Sequence, residues 1–327
     1  MVSARAAMYV AGAMLAAGLA GGWFLGRSPI AKSWASVAPE VLRPPVDLGA
    51  SQGGSEEGLS LTVMDRTGRT VQSIAADRPW TPRISRDGRR VVYGAFAFGR
   101  STSDLWVTDL KGGATRRLTD GDDDANDPQW SPDGERVVYS ATAPGGKDLL
   151  ERTIGAGASR VIAARVGTQF ASDWRRDGKA LLVTEDAPGN GHDIIVQPVD
   201  GATAWPFVAT PAEETAARVS PDGRWVAYTS DASGRAEVYL DSWPRPTRRI
   251  TLSSGGGLHP VWRGDGRELY YWNAGALMAV QLGAAWEATP PTVGARSVLF
   301  RAPYHAGLNT MYDVSPDGER FVIVQER

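Results

Sequence analysis

The amino-acid sequence predicts an all-β fold: a six-bladed β-propeller with four antiparallel strands per blade, preceded by a single N-terminal transmembrane helix. Three observations lead to this prediction. An Asp-Gly dipeptide recurs six times in one context, further strand-like segments follow the copies, and twenty consecutive uncharged residues lie near the N-terminus. The 12 tryptophans, 38 glycines and 21 prolines among 327 residues also suit many short strands joined by tight turns.

The charge and cysteine counts exclude several classes of function. With 35 basic and 37 acidic residues the formal net charge is −2, so no overall field favours nucleic acid or a strongly acidic partner. The chain contains no cysteine, which removes disulfides, thiol nucleophiles and cysteine-based metal sites. A chain of this length can bury a large core without such cross-links.

The uncharged run from Ala7 to Gly26 lies between Arg5 and Arg27 and is long enough to span a bilayer as a helix. A cleaved signal peptide is the alternative, but its apolar region is normally shorter and ends at a small-x-small site. The best such site, Ser36-Val37-Ala38, is followed by a proline, which suits cleavage poorly. An uncleaved anchor over residues 1–27 is therefore favoured. Positive charges on both sides specify its orientation only weakly.

Residues 28–58 are rich in proline, glycine and serine, which is typical of a tether that is partly stiff and partly flexible. The sequence thus predicts three parts: the anchor, this tether, and a propeller over residues 59–327. On this interpretation the chain is a single-pass protein of the cell membrane with its propeller on the extracytoplasmic side.

The propeller prediction rests on an internal repeat. The six aspartates of the repeated dipeptide are Asp87, Asp133, Asp177, Asp222, Asp265 and Asp317. They lie 43 to 52 residues apart, and a large apolar residue stands three positions before each one, as Trp130 does before Asp133. An apolar triplet such as Val137-Val138-Tyr139 follows each turn. Strands that are apolar on both faces are typical of sheets stacked between two other layers.

Further strands complete each repeat unit. The predicted third strands are residues 104–110, 148–154, 193–199, 237–243 and 276–282, and the predicted fourth strands are residues 115–119, 159–163, 204–210, 247–251 and 296–300. Four strands in about 45 residues are the signature of a propeller blade. The longest spacing reflects an insertion at 283–295 in the last hairpin of the fifth unit.

The sixth unit supplies only two strands before Arg327. Residues 61–74 have the pattern of a third and fourth strand joined by a turn at Asp65-Arg66-Thr67-Gly68. Pairing them with residues 321–325 would close the ring and remove the exposed sheet edges of an open array.

Several of these repeats resemble a known family. The runs "SPDGRWVAYTSDASGRAEVYL", "RGDGRELYYWNAGALMAVQL" and "YDVSPDGERFVIVQ" resemble the TolB-like, WD-repeat-like propellers of bacteria. They look most like the extracytoplasmic propellers of membrane-anchored bacterial Ser/Thr kinases, but the chain has neither a His-Arg-Asp nor an Asp-Phe-Gly motif. The resemblance covers residues 59–327. It implies the fold, whereas family members serve variously as sensors, scaffolds and substrate-gating domains.

The candidate binding site lies in the connections between blades, because sequence variety concentrates there while the Asp-Gly turns opposite are repetitive. Three segments contribute: "TDGDDDANDPQ", "SSGGGLHP" and "RAPYHAGLNTMY". A further histidine is predicted in a loop on the same face. The predicted ligand-binding mouth consists of Asp123, Asp124, Asp127, His192, His259, Tyr304 and His305.

The Asp-Gly dipeptides themselves are interpreted as turns and not as displayed carboxylates. In Ser131-Pro132-Asp133-Gly134 the proline fixes its own φ, the aspartate can accept a local hydrogen bond, and the glycine takes a left-handed conformation. The copies with Arg86, Arg176 or Gly264 in place of the proline keep Asp-Gly, as a requirement of the turn predicts.

The favoured function is a non-enzymatic binding or sensing module for a protein, peptide or other ligand of the cell envelope. No catalytic residue, cofactor or metal ion is assigned, and no nucleic-acid partner is expected. One alternative is a metal-dependent propeller enzyme of the lyase or lactonase type, working through its three histidines. Another is the sensor half of a split kinase. Alternating Asp120, Asp122 and Asp124 also suit calcium, but the central glycine and downstream glutamate of a calcium loop are missing.

Overall fold

Strands make up the regular structure of the residues that the computed structural model describes, which are 58–96, 101–121, 124–187, 191–283 and 291–326. The first twelve are β1 (Leu59–Asp65), β2 (Thr70–Ile74), β3 (Asp77–Ile84), β4 (Arg90–Phe96), β5 (Ser103–Asp109), β6 (Thr115–Arg117), β7 (Asn126–Trp130), β8 (Arg136–Ala143), β9 (Gly146–Thr153), β10 (Ser159–Ala163), β11 (Gly167–Trp174) and β12 (Ala180–Ala187). The other twelve are β13 (Gly191–Pro198), β14 (Trp205–Val208), β15 (Glu214–Val219), β16 (Trp225–Ser230), β17 (Glu237–Ser242), β18 (Ile250–Thr251), β19 (Leu258–Trp262), β20 (Glu268–Asn273), β21 (Ala276–Leu282), β22 (Val293–Arg301), β23 (Tyr312–Val314) and β24 (Arg320–Glu326).

These strands form antiparallel units in which the chain passes from one strand to its neighbour. The first strands of the units, β3, β7, β11, β15, β19 and β23, contact one another in cyclic order and surround a central channel. They are called the inner strands below. The all-β propeller predicted from the repeats is confirmed by this arrangement.

The division into sheets differs from the prediction of six separate four-stranded blades. Within the described residues there are four four-stranded sheets and one sheet of eight strands. The larger sheet arises because β9 and β11 form a short parallel pairing, Gly146 with Gly167 and Lys147 with Thr168. A side chain could not fit there, since a Cβ on Gly146 would lie 2.1 Å from the Gly167 carbonyl oxygen. Two glycines therefore let two predicted units join.

The N-terminal strands close the ring. Strand β1 pairs with β24 from Leu59–Glu326 to Asp65–Arg320, and β2 pairs with the other edge of β1. Leu61 and Val63 of β1 are buried in one hydrophobic cluster with Val322 and Val324 of β24. The predicted closure by the two ends of the propeller is confirmed.

The core lies between the sheets, as the apolar strands predicted. All six residues of β16 are buried, and the apolar triplets after the turns, such as Val137-Val138-Tyr139, have almost no exposed surface. Both faces of these strands pack against neighbouring sheets, so burial holds the ring together sheet by sheet.

The Asp-Gly dipeptides form turns, again as predicted. Gly134 has a φ of +72°. One carboxylate oxygen of Asp133 accepts hydrogen bonds from the Ser131 hydroxyl and the Glu135 amide. Corresponding bonds recur at Asp87, Asp222 and Asp317. The carboxylates are used within their own turns.

The predicted anchor, nearly all of the tether, and Asp123 lie outside the described residues. The described part of the chain contains no helix long and apolar enough to cross a membrane. The division into anchor, tether and propeller stays a prediction.

Candidate functional site

A bulge in several inner strands shapes one end of the channel. Thr81, Asp127, Ala216 and His259 have φ values between +40° and +57°, and strand pairing shifts register beside each of them. Proline follows three of the four, at Thr81, Asp127 and His259. Proline has no N–H for a ladder and is tolerated at bulges, and a bulge redirects the side chains around it.

A cavity of about 310 Å³, the mouth pocket, lies at this end of the channel. It is lined by Trp80, Thr81, Phe96, Ser103, Asp124, Asn126, Asp127, Phe170, Gly307, Leu308, Asn309 and Met311. The lining comes from inner strands, from the ends of outer strands, and from the segment that leads into β23. Its wall combines aromatic and aliphatic side chains with carboxylate, amide and hydroxyl groups, which is the composition of sites that bind organic ligands.

Asp124 is held rigidly at the pocket wall. One of its carboxylate oxygens accepts hydrogen bonds from the amide and hydroxyl of Ser103, at 3.0 and 2.8 Å. The other lies 2.8 Å from the ammonium group of Lys147. Burial acts to raise the pKa of Asp124, but Lys147 and Ser103 outweigh it and hold the pKa below its usual value. Asp124 is therefore ionised and already neutralised by its own lysine.

Asp127 has a different environment. Only 4 % of the residue is exposed. Burial raises the pKa of its carboxyl group to about 6, although the nearby charges of Lys147 and Arg83 act in the opposite direction. The pocket thus contains one carboxylate that is fully paired and one that is costly to ionise.

His259 and Tyr304 do not line the pocket but contact the segment that does. His259 Nδ1 lies 2.7 Å from the Tyr304 hydroxyl, which also accepts a hydrogen bond from the Met311 amide at 3.0 Å. The Tyr304 ring stacks on Trp272 with centroids 4.4 Å apart. Burial, aided by Arg83, lowers the pKa of His259 to about 4. The imidazole is therefore neutral at pH 7 and positions the segment that contributes Met311.

The other two histidines each pack against an aromatic side chain of the pocket wall. His305 meets Trp80 edge to face at 5.7 Å, and its Nδ1 lies 3.2 Å from Glu326. His192 lies 6.3 Å from Phe170 between ring centroids. Its two ring nitrogens contact Glu213 at 2.7 Å and Asp186 at 3.1 Å. These carboxylates fix the imidazole of His192 against Phe170.

The structure therefore places the predicted mouth residues in two groups. Asp124 and Asp127 line the pocket, whereas the three histidines and Tyr304 contact residues that do. In the described ranges no three His, Asp or Glu side chains are arranged to hold a metal ion. The histidines have separate partners, so the metal-dependent alternative gains no support from their geometry.

Sequence reasoning missed the aromatic wall of this pocket. Trp80, Phe96 and Phe170 come from three regions that carry no motif of their own, whereas Leu308 and Met311 lie within the predicted mouth segment "RAPYHAGLNTMY" without being singled out there. One signal was available. Thr81-Pro82 repeats the pattern of Asp127-Pro128 and His259-Pro260 at the same distance before the turn, and this pattern marks Trp80 as a neighbour of the mouth.

Comparison with known proteins agrees with the fold. The family described as "TolB beta propeller domain" matches residues 49–191 and 128–284. Among curated proteins, the Tol-Pal system protein TolB of Bordetella pertussis is 28% identical over 187 residues, which cover 57% of this chain and 43% of that protein. The uncharacterized peptidase YuxL of Bacillus subtilis is 27% identical over 176 residues, 50% of this chain and 25% of that protein. The aligned region thus spans less than half the length of either relative.

Solved structures show the same architecture. A putative TolB from Agrobacterium tumefaciens superposes with a TM-score of 0.67 at 18% identity, covering 82% of this chain and 98% of that one. TolB from Acinetobacter baumannii superposes with a TM-score of 0.57 at 15% identity, covering 82% of this chain and 64% of that one. At these identities the likeness establishes the fold alone.

Proposed function

The chain belongs to the TolB beta propeller domain family, and on that premise we propose that residues 59–327 are a binding module that recognises a protein or peptide of the cell envelope at the mouth pocket. The eight-stranded sheet counts as two blades in this proposal, because six inner strands surround the channel. The long uncharged run before the tether supports a membrane-anchored, extracytoplasmic location.

One observation carries the proposal: a pocket with three aromatic walls and a buried carboxylate opens where inner-strand bulges and blade connections meet. Aromatic side chains that are already packed lose little conformational entropy on binding and contribute large apolar contact area. Asp127 offers an acceptor whose burial raises the cost of leaving it unpaired. Such a pocket suits an anchoring side chain of a partner that is apolar along its length and ends in a hydrogen-bond donor.

The supporting contacts favour a preformed site. The rings of Trp80 and Phe170 each contact a histidine ring, and the Met311 amide donates a hydrogen bond to the Tyr304 hydroxyl. A wall fixed in this way does not have to be ordered when the partner binds, which favours affinity.

Site-specific photocrosslinking in intact cells tests the proposal. A photoreactive amino acid at Leu308, in the pocket wall, should give a discrete crosslinked partner that mass spectrometry can identify. The matched control carries the same amino acid at Val161 on strand β10, a residue that is 60% exposed. Equal crosslinking from both positions would place the binding surface elsewhere.

A pair of charge substitutions completes the test. Leu308→Asp should abolish capture of the partner, because it adds a third carboxylate to a pocket that already contains two. Val298→Asp changes an exposed position on β22 and should leave capture intact. Both variants should be compared at equal amounts of folded protein.

A further inference from the structure

A second cavity, the inner chamber, lies at the other end of the inner strands. Along β3 the mouth pocket is lined by Trp80 and Thr81, whereas the chamber is lined by Arg83 and Ile84. Its volume is about 340 Å³, within the lower range of pockets that bind small organic molecules. The chamber is therefore separate from the site proposed above.

One side chain from each inner strand contributes to a ring around this chamber. The ring consists of Arg83, Gln129, Asp173, Arg218, Val261 and Asp313. These residues occupy equivalent positions, each immediately before the apolar residue that precedes an Asp-Gly turn. Strands β3 and β15 are three places apart among six, so Arg83 and Arg218 lie across the channel from each other.

The two acidic members of the ring are engaged with backbone amides. Asp313 accepts a hydrogen bond from the Ile84 amide at 2.7 Å, and Asp173 accepts one from the Val219 amide at 2.8 Å. In both cases the carboxylate binds the next inner strand in the ring. These bonds hold neighbouring blades together.

The two arginines are less well satisfied. Arg83 is 4 % exposed and donates through Nη1 to the carbonyls of Pro82, Thr310 and, at 3.4 Å, Tyr312, whereas its Nε has no acceptor in the described structure. Arg218 is 6 % exposed and donates through Nη1 to Gln129 Oε1 at 3.1 Å. Its Nε and Nη2 have no acceptor among described residues. Neither guanidinium lies within 4.0 Å of a carboxylate oxygen of any residue that the structure describes.

Two buried cations facing one another are costly unless an anion accompanies them. Burial and the charge of Arg218 lower the pKa of Arg83 to about 9. Asp313 and Asp127 attract Arg83 from a distance, but the lining of the chamber still contains five arginines against two aspartates. One of the five, Arg263, is paired with Asp265 and Glu268 outside the lining, which leaves four arginines against the two aspartates. The electrostatic balance of the wall is therefore positive.

The remaining wall is apolar and flat. It includes the indole rings of Trp130, Trp174 and Trp262 and the rings of Pro221 and Pro316. The indole N–H groups donate to backbone carbonyls of the protein, so the small exposed surface of the three tryptophans, between 1% and 8% of each residue, offers apolar contact. Guanidinium groups match the planar fork of a carboxylate, and ring faces match an organic framework.

We propose that the inner chamber binds an organic anion through a carboxylate held between Arg83 and Arg218, with its apolar part against the indole and proline rings. The carboxylate is either that of a small molecule or that of an acidic peptide side chain entering the channel. The chamber shares no lining residue with the mouth pocket, although Arg83 also acts electrostatically on Asp127, and either proposal can fail without the other.

Calorimetric titration of the full chain in detergent tests the proposal with matched probes. Benzoate should bind saturably, and its neutral isostere benzamide should not. A tetraglutamate peptide and a tetraglutamine peptide form the second pair. Binding of benzoate identifies a small-molecule site, binding of tetraglutamate alone identifies a peptide side chain, and both results support the proposal. Failure of both carboxylates, or a stronger response to inorganic phosphate, would overturn it.

Variants then assign the binding to the ring. Arg218→Gln should lower the affinity for the carboxylate by about 30-fold or more, because it removes one of the two cations that bind it. Arg160→Gln, a change of an exposed arginine paired with Glu151 on the outer strands, should have no effect. Equal losses in both variants would contradict the assignment.

A second variant, in which a negative charge is removed from the wall, keeps the proposal testable if Arg218→Gln does not fold. Asp313→Asn removes a negative charge from the wall while its carbonyl can still accept the Ile84 amide. It should tighten carboxylate binding several-fold. Unchanged or weaker binding in folded Asp313→Asn would contradict the proposal.

Discussion

His259 Nδ1 and the Tyr304 hydroxyl lie 2.7 Å apart, and in the neutral imidazole Nδ1 can accept the hydroxyl proton. Tyr304 accepts from the Met311 amide and can therefore donate its own proton to His259. Because the folded protein lowers the pKa of His259 to about 4 from its ordinary 6.5, the unfolded chain takes up a proton more readily in that interval. The arrangement links the mouth pocket to pH.

The first prediction concerns this linkage. Below pH 6.5 His259 is protonated in the unfolded state but stays neutral in the folded state until the pH approaches 4. The contribution of His259 to the free energy of unfolding should therefore fall by about 3 kcal/mol by pH 4. His259→Asn should remove this dependence and lose less stability than the parent on acidification. Denaturant unfolding between pH 7 and pH 4.5 measures the difference, and parallel curves for the two proteins would contradict it.

Asp127 should act in the opposite direction. Its pKa of about 6 in the folded protein exceeds the ordinary value of 3.8. Its contribution to the free energy of unfolding therefore grows as pH falls from 6 to 4 and is lost as pH rises through 6. Asp127→Asn should therefore show a steeper loss of stability on acidification. At pH 7 it should be more stable than the parent, by about 1–3 kcal/mol, because a buried charge has been removed. A stable Asp127→Asn variant that no longer captures its partner would indicate that the carboxylate is kept for binding.

The Asp-Gly turns give a third prediction. Gly134 has a φ of +72°, and a Cβ there would lie 3.2 Å from Nη2 of Arg90. Gly134→Val should destabilise the protein by about 2 kcal/mol or more, since a β-branched residue is strained in this conformation. Asp133→Asn retains an oxygen for the Glu135 amide and loses mainly a partly exposed contact with Arg136, so it should cost less than about 1 kcal/mol. Thermal unfolding of both variants provides the comparison. If Asp133→Asn instead abolished binding while its stability stayed unchanged, the turn would be a binding site.

The sequence could predict the fold because each unit repeats its apolar pattern and its turn chemistry. The pairing of residues 61–74 with the C-terminal strands followed from two missing strands in the last unit. The fusion of two units could not be predicted, since it depends on the close approach of Gly146 and Gly167, which are 21 positions apart in different hairpins.

The candidate site was predicted less completely for a physical reason. Sequence pattern assigns a residue to one face of the propeller, but it does not say which side chains converge. His259 was expected at the mouth as a ligand contact, yet its positive φ accompanies a bulge, and its side chain is buried against Tyr304. Trp80 on β3 and Phe170 on β11 meet in one pocket because both strands pack against β7, a contact between repeat units that the sequence pattern does not specify.

The fourth prediction concerns ring closure. Leu61 on β1 is 1% exposed and packs against residues of β24, so Leu61→Ala should destabilise the protein by about 2–5 kcal/mol. Val71 on β2 is 46% exposed, and Val71→Ala should change stability by less than about 0.5 kcal/mol. Hydrogen exchange should show the loss of protection in Leu61→Ala first at β1 and β24. Similar unfolding midpoints for the two variants would mean that the closing pair contributes little.

The last prediction concerns the arginines that replace proline in two of the turns. Arg86 donates through Nη2 to the Trp174 carbonyl at 2.8 Å, and Arg176 donates to the Gly264 carbonyl at 2.9 Å. Each bond runs from one blade to the next but one, and both arginines line the inner chamber. The two side chains thus brace the turn end of the channel.

Arg86→Pro tests this role, because proline already occupies the position in other copies of the turn, such as Pro132. The variant should fold with little change in melting temperature, while the lost brace should admit solvent to the chamber. Iodide quenching of tryptophan fluorescence should therefore increase, with Trp174 among the residues affected. Arg86→Lys, which keeps the charge but shortens the reach and removes the guanidinium fork, should lie between the parent and Arg86→Pro. If quenching is the same in all three proteins, the arginines do not limit access to the chamber.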